Sequence, residues 1–172
     1  LGDTVSVSGP YGRFVLKTAD EDGVPVVVGG GTGLAPLKSM IRFALEDAAY
    51  DGRLTLYQGA RSREWLYDVE FFRSLATQYP DQFTYRPCLS EETAEDCGDD
   101  AGAFGFGMVT DVIAADHPTL NGCTGYLCGP PPMVEAALKT LMGKRLFPRD
   151  IHREDFFNEG DKATGGVRSP LI

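Results

Sequence analysis

The chain has 172 residues, 42% of them hydrophobic, and 25 acidic against 16 basic residues give it a formal net charge of -9. That size and composition suit one ordinary domain with a core of its own. The acidity argues against a general nucleic-acid or anionic-membrane surface, because the protein's own field repels phosphate except at a local site.

In chain order, Val5 and Val7 alternate with Ser6 and Ser8, which reads as the end of a strand; a start at Leu1 without an initiator Met reads as a piece of something longer. After Gly9-Pro10-Tyr11-Gly12 and a polar turn at Asp20 to Gly23, Pro25-Val26-Val27-Val28-Gly29 is a short β-branched run closed by glycines, the pattern of a strand buried on both faces of a parallel sheet. Leu37, Met40, Ile41, Ala44 and Leu45 then repeat at helical spacing, predicting a helix from Leu37 to Tyr50.

The alternation continues with a strand at Arg53 to Gln58, a helix at Asp68 to Gln78 and a strand at Phe83 to Leu89. The acidic stretch from Ser90 to Asp100, extended by Gly102, Gly105 and Gly107, reads as a loop, either a solvated excursion or a partner-facing one. Met108 to Asp116 is a predicted helix, Thr124 to Cys128 a strand, Met133 to Leu141 a helix and Arg149 to Phe157 a last strand. The polar tail from Asn158 to Ile172 reads as extended or disordered. Strand and helix alternating in this way predict an α/β domain with parallel strands joined by right-handed crossovers.

Two motifs carry chemistry. Gly29-Gly30-Gly31-Thr32-Gly33-Leu34-Ala35-Pro36 stands between a buried strand and a helix, where glycines let the backbone approach a pyrophosphate and the helix start offers N–H groups and a partial positive charge. The same turn could serve tight strand-to-helix packing alone. Tyr126-Leu127-Cys128-Gly129-Pro130-Pro131-Pro132-Met133 ends a second strand, and in an open sheet Cys128 would face the same crevice as Thr32; taken alone, Cys128 reads as a small buried hydrophobe, the commoner fate of a free cysteine. Cys88, Cys97, Cys123 and Cys128 lack the paired spacings of a zinc or iron–sulfur site, and His117, His152 and Trp65 read as surface or packing residues, so no metal centre is expected in this chain. No apolar run has spanning length and no signal-peptide pattern opens the chain, which makes the cytoplasm the expected location.

The order of Gly-Pro-Tyr-Gly (9 to 12), Gly-Gly-Gly-Thr-Gly-Leu-Ala-Pro (29 to 36), Tyr-Gln-Gly-Ala-Arg (57 to 61), Cys-Gly-Pro-Pro-Pro-Met (128 to 133) and Glu-Asp-Phe (154 to 156) resembles the ferredoxin-NADP reductase superfamily. Within it the chain is most similar to reductase components of bacterial multicomponent oxygenases of the toluene, phenol and methane monooxygenase type. The resemblance implies a five-stranded parallel sheet with helices on both faces. Residues 1–16 would end a preceding FAD-binding barrel, residues 17–157 would form the NAD(P)H-binding domain, and 158–172 would be a tail. It further implies FAD held mainly by that other domain, a [2Fe-2S] ferredoxin domain of the same parent protein, and an oxygenase or its ferredoxin as electron acceptor. A quinone reductase, a pyrimidine dehydrogenase or a docking module that has lost catalysis would keep the same domain.

Carried over by motif, residues 29 to 36 would hold the pyrophosphate, and Thr32 and Cys128, with Gly129, Pro130, Pro131 and Met133, would border the nicotinamide. Glu154 would sit near the flavin, and Phe156, or its neighbour Phe157, would cover it. Cofactor choice falls at the end of the second strand, Gly59-Ala60-Arg61-Ser62-Arg63-Glu64, where an arginine suits a 2′-phosphate and an acid suits ribose hydroxyls. NADH is the expected cofactor in preference to NADPH, with Asp68, Glu70 and Phe72 as candidates for the adenosine pocket.

Overall fold

The computed structural model describes residues 2–9, 12, 14–17, 24–46 and 50–155. Six strands form one sheet: β1 (Val24–Gly29), β2 (Leu54–Ala60), β3 (Phe83–Leu89), β4 (Gly105–Phe106), β5 (Cys123–Gly129) and β6 (Ile151–Asp155). Their order is β4-β3-β2-β1-β5-β6, and all five pairings are parallel. The expectation of five strands is corrected to six. The extra strand, β4, is two residues in a glycine-rich stretch whose sequence carries no strand pattern; it exists because Gly105 and Phe106 pair with Cys88 and Leu89.

From β1 the chain winds outward through β2, β3 and β4, then returns to the opposite side of β1 for β5 and β6. Helices α1 (Leu34–Glu46) and α2 (Val69–Gln78) cover one face on the outward course, while α4 (Val109–Asp116) and α5 (Pro131–Gly143) cover the other on the return. This is what right-handed crossovers require when winding reverses. Alternate residues of β1 serve two cores: Val27 packs with Leu37, Ile41 and Phe72, and Val26 and Val28 pack with Ile113, Leu127 and Leu141. A strand buried on both sides has no polar face to show, hence its uniform apolar reading. Each fully buried Leu or Ile contributes about 1.5–3 kcal/mol over its exposed state.

Several sequence expectations shift. Helix α1 begins at Leu34 rather than Leu37, so Leu34, Ala35 and Pro36 are its first turn and only Gly31–Gly33 form the single 3-10 turn before it. The acidic stretch is structured: a short helix α3 (Ala94–Cys97) runs into a 3-10 segment, Gly98–Ala103, and the Asp96 carboxylate accepts hydrogen bonds from both the N–H and the hydroxyl of Thr93 at 2.7 Å. Gly2 to Gly9 form no strand, and Val5 and Val7 are largely exposed; alternation defines two faces, but a strand also needs a paired ladder, and no described segment supplies one. Phe14 stands edge-on to Tyr126 at 6.2 Å, and the Lys17 N–H donates to the Tyr126 hydroxyl at 3.0 Å, so this segment docks on the α1 side of β5. Phe156, Phe157 and the tail lie outside the described residues.

Candidate functional site

In an open parallel sheet a ligand lies outside the carboxyl ends of the strands, where the winding direction reverses. Here that point is between β1 and β5. Gly29 is in register with Gln58 of β2 on one side and Cys128 of β5 on the other, and Cys128 with Glu154 of β6, so four strand ends lie level.

The turn after β1 packs backbone to backbone on the end of β5. A Cβ added to Gly33 would sit 2.3 Å from the Cys128 carbonyl oxygen and 2.4 Å from the Gly129 nitrogen. One on Gly30 would meet the Met133 sulfur at 2.9 Å and the Gly59 carbonyl oxygen at 3.0 Å. Gly129 has φ +155, a region L side chains avoid, and its Cβ would lie 2.6 Å from Met133 Cε and 2.9 Å from the Gly30 carbonyl oxygen. Gly30, Gly59 and Gly129 thus converge around Met133, Gly33 packs on the Cys128–Gly129 backbone, and the crevice floor is main chain. On its open side Gly31 and Thr32 are exposed, and α1 starts immediately behind them, its first N–H groups and partial positive charge directed at the opening. That is a cradle for an anion that needs close backbone approach, a dinucleotide pyrophosphate above all.

The structure brings most of the motif residues to this edge but divides their roles. Thr32 is exposed at the mouth, Ala35 is exposed and Pro36 half-buried on the first turn of α1, and Gly29 and Leu34 are buried behind it. Pro130 is exposed and Pro131 opens α5. Cys128 offers the crevice its backbone, while its side chain is fully buried in the cluster with Leu34 and Leu37. Glu154 is exposed beside it at the end of β6, a strand tied to α5 by Arg153 Nη1 to Glu135 Oε1 at 3.0 Å. Phe156 lies outside the described residues. Of the residues expected around adenosine, Phe72 is fully buried on the sheet side of α2, Glu70 pairs with Arg73 at 3.5 Å, and Asp68 pairs with Lys38 at 2.9 Å.

Gly59 and Ala60 end β2 across the crevice and Arg61 follows them, where the acidic segment after β3 meets the arginines. The Arg63 guanidinium donates to Glu92 Oε2 at 2.8 Å and to the Asp96 carbonyl at 2.9 Å, and the Arg63 N–H donates to Glu92 Oε1 at 3.1 Å. Burial pushes the Glu92 carboxyl up, but these bonds and one from Cys97 outweigh it and hold the group below its ordinary value. Arg61 meets Glu91 more loosely, at 3.8 Å between two mostly exposed side chains. The signal was present in the sequence as the acid run, but its partner could not be read there.

Sequence reasoning missed a polar cluster on the α4 face. The hydroxyl of buried Tyr57 donates to Asp116 Oδ2 at 3.1 Å and lies 2.9 Å from His117 Nε2, with Arg86 Nε 3.4 Å from the same Asp116 oxygen. The phenol's one proton goes to Asp116, so His117 donates from Nε2. His117 is therefore half-buried in a network, and His152 stacks near Tyr126 at 5.1 Å; neither is the surface residue expected. Burial lowers the His117 pKa from 6.5 against the opposing pull of Asp116. The unfolded chain then takes up this proton first as pH falls through about 6.5, so stability declines from there until native His117 itself titrates. Urea midpoints between about pH 7.5 and 5.5 should fall less steeply in His117→Gln than in the wild type; equal slopes would contradict this assignment.

Among the described residues no group of three or more His, Cys, Asp or Glu could hold a metal ion, and no helix is long and apolar enough to cross a membrane. The fold and crevice define a nucleotide-binding α/β domain. Residues 27–139 match the oxidoreductase NAD-binding domain family, and the chain belongs to it. It is 42% identical to the reductase component of phenol 2-monooxygenase from Pseudomonas sp. strain CF600 over 100% of this chain and 47% of that protein. It is 43% identical to the reductase of an aromatic O-demethylase from Amycolatopsis sp. over 90% of this chain and 44% of that protein. The structure superposes on the Amycolatopsis cytochrome P450 reductase GcoB with a TM-score of 0.73 at 42% identity, covering 86% of this chain and 42% of that one. The chain thus spans less than half the length of each of these relatives.

Proposed function

We propose that this chain is the NADH-binding domain of a flavoprotein reductase that feeds electrons to an oxygenase. The observation that carries the reading is the main-chain junction of Gly30, Gly33 and Gly129 at the switch point, where the turn and the end of β5 pack too closely to admit a side chain and leave Gly31 and Thr32 exposed at the mouth. The chemistry supplied when nucleotide and flavin are bound is direct hydride transfer from nicotinamide C4 to flavin N5. The chain's residues bind and orient: the 29 to 36 segment grips the pyrophosphate, the Thr32 hydroxyl is available at the mouth for the nicotinamide side, and the backbone at Cys128 and Gly129 walls that side. Glu154, level with Cys128, and Phe156 are assigned to the flavin side by their motif alone. Orientation of this kind accounts for a large share of a hydride-transfer rate without any protein acid or base.

Preference for NADH is supported by Glu91 and Glu92, which occupy the cations a 2′-phosphate would need. FAD and a [2Fe-2S] centre would belong to other domains of the parent protein, and the electrons would pass to an oxygenase or its ferredoxin. Calorimetric titration with NAD+ and NADP+, followed by NADH oxidation by the parent protein with ferredoxin, oxygenase and quinone acceptors, tests this. NAD+ binding with electron delivery to an oxygenase is expected. Delivery only to a quinone would move the chain to that branch, and binding of neither nucleotide would contradict the reading.

A further inference from the structure

One polar side chain lies where the strand pattern calls for an apolar one. Leu54, Leu56 and Gln58 alternate on the α2 side of β2, and Gln58 is only 1% exposed. Its amide is committed at both ends: Oε1 accepts from the Tyr85 hydroxyl at 2.5 Å, and Nε2 donates to the Tyr67 carbonyl at 3.1 Å. A buried amide is tolerated only when paired, and this one spends its pairing on a loop. That loop, Arg61 to Asp68, leaves the end of β2 beside the crevice; Arg63 ties its start to Glu92 and Asp96 and Leu66 packs by Leu89 and Phe104, while Trp65 and Tyr67 are about half exposed and Gln58 holds the Tyr67 carbonyl. Its far end is held in place by Asp68, a non-glycine residue at φ +55, whose carboxylate meets Lys38 of α1 at 2.9 Å. Gln58 is in register with Gly29, so the loop it holds begins level with the pyrophosphate turn.

We propose that Gln58 is a positioning residue for the adenosine half of the nucleotide, acting through the Tyr67 carbonyl to fix the loop at the end of β2, where sheets of this type hold the ribose. The proposal rests on the nucleotide-binding reading above. Gln58 touches no ligand. Its amide sets where Leu66 to Asp68 stand, while Arg63 holds the start of the loop on Glu92 and Asp96 and Tyr85 only satisfies the other end of the amide.

The test is calorimetry of the full chain with ADP-ribose and NAD+, alongside thermal unfolding. Gln58→Met keeps the volume and removes both bonds; Tyr85→Phe removes the phenol and leaves the tie to the loop. Both lose a buried hydrogen bond, so both should unfold at lower temperature. Only Q58M should weaken ADP-ribose and NAD+, by the same factor of about 3- to 10-fold, the worth of about one hydrogen bond. Amide exchange in Leu66 to Asp68 should rise in Q58M alone. Should Q58M fail to fold, Q58N, which keeps the polar group but cannot span both partners, carries the same comparison. Equal affinity losses in Q58M and Y85F, or none in either, would reduce Gln58 to a fold-stabilising residue and overturn the proposal. A wild-type chain that binds neither ligand would instead sink the nucleotide reading itself.

Discussion

Gly33→Ala is expected to reduce NAD+ affinity by about 100-fold, more than any other single methyl group added to this chain. The added Cβ would sit 2.3 Å from the Cys128 carbonyl oxygen and 2.4 Å from the Gly129 nitrogen, and both are backbone at the end of a central strand laddered to β1 and β6. Unlike the end of a side chain, neither can swing aside, so the turn itself must retreat by about 1 Å in an interior packed at crystal density. Overpacking of this kind costs about 1–3 kcal/mol, and the retreat carries the first turn of α1 away from its ligand. Calorimetric titration beside a urea unfolding curve separates the two effects. Unchanged affinity in a folded G33A chain would mean that the crevice is packing and not a binding site.

The second large effect concerns charge. Replacing both acids in Glu91→Gln, Glu92→Gln should raise NADP+ affinity about tenfold while leaving NAD+ nearly unchanged, because it frees Arg61 and Arg63 for a 2′-phosphate. Arg63 should dominate, since its 2.8 Å charged bond to Glu92 is the one the variant weakens most, whereas Arg61 meets Glu91 only at 3.8 Å. The gain should shrink with added salt, as exposed charges require. Titrations of both nucleotides at two ionic strengths read it. An unaltered NADP+ to NAD+ ratio would take the discrimination away from this corner of the crevice.

The glycine turn after β1 was legible in the sequence because its signal is local: a β-branched run, then glycines, then a helical stripe, each produced by neighbours along the chain. The same holds for the strand end at Cys128. Side-chain destinations were less legible. The motif draws Cys128 to the crevice, but alternation along β5 places it on the face where α1 packs, and the thiol is buried there. Gln58 stood in an apolar alternation, a visible anomaly, yet its two partners come from residues 67 and 85 and depend on how β3 and the loop fold beside it. The acidic stretch read as a loop because the contacts that order it are with arginines far earlier in the chain, Arg61 and Arg63.

What the sequence by itself determined was the alternation of strands and helices, the parallel class of the sheet and the site of the glycine turn, because periodicity and glycine content act over a few residues. The tertiary structure alone decided the sixth strand, which two residues form only when docked on β3, and the burial of the Cys128 side chain. It also decided the neutralisation of Arg63 and the enclosure of His117 beside Tyr57. Each of these is a pairing between segments distant in sequence, whose energy appears only once the crossovers have brought them within bonding distance.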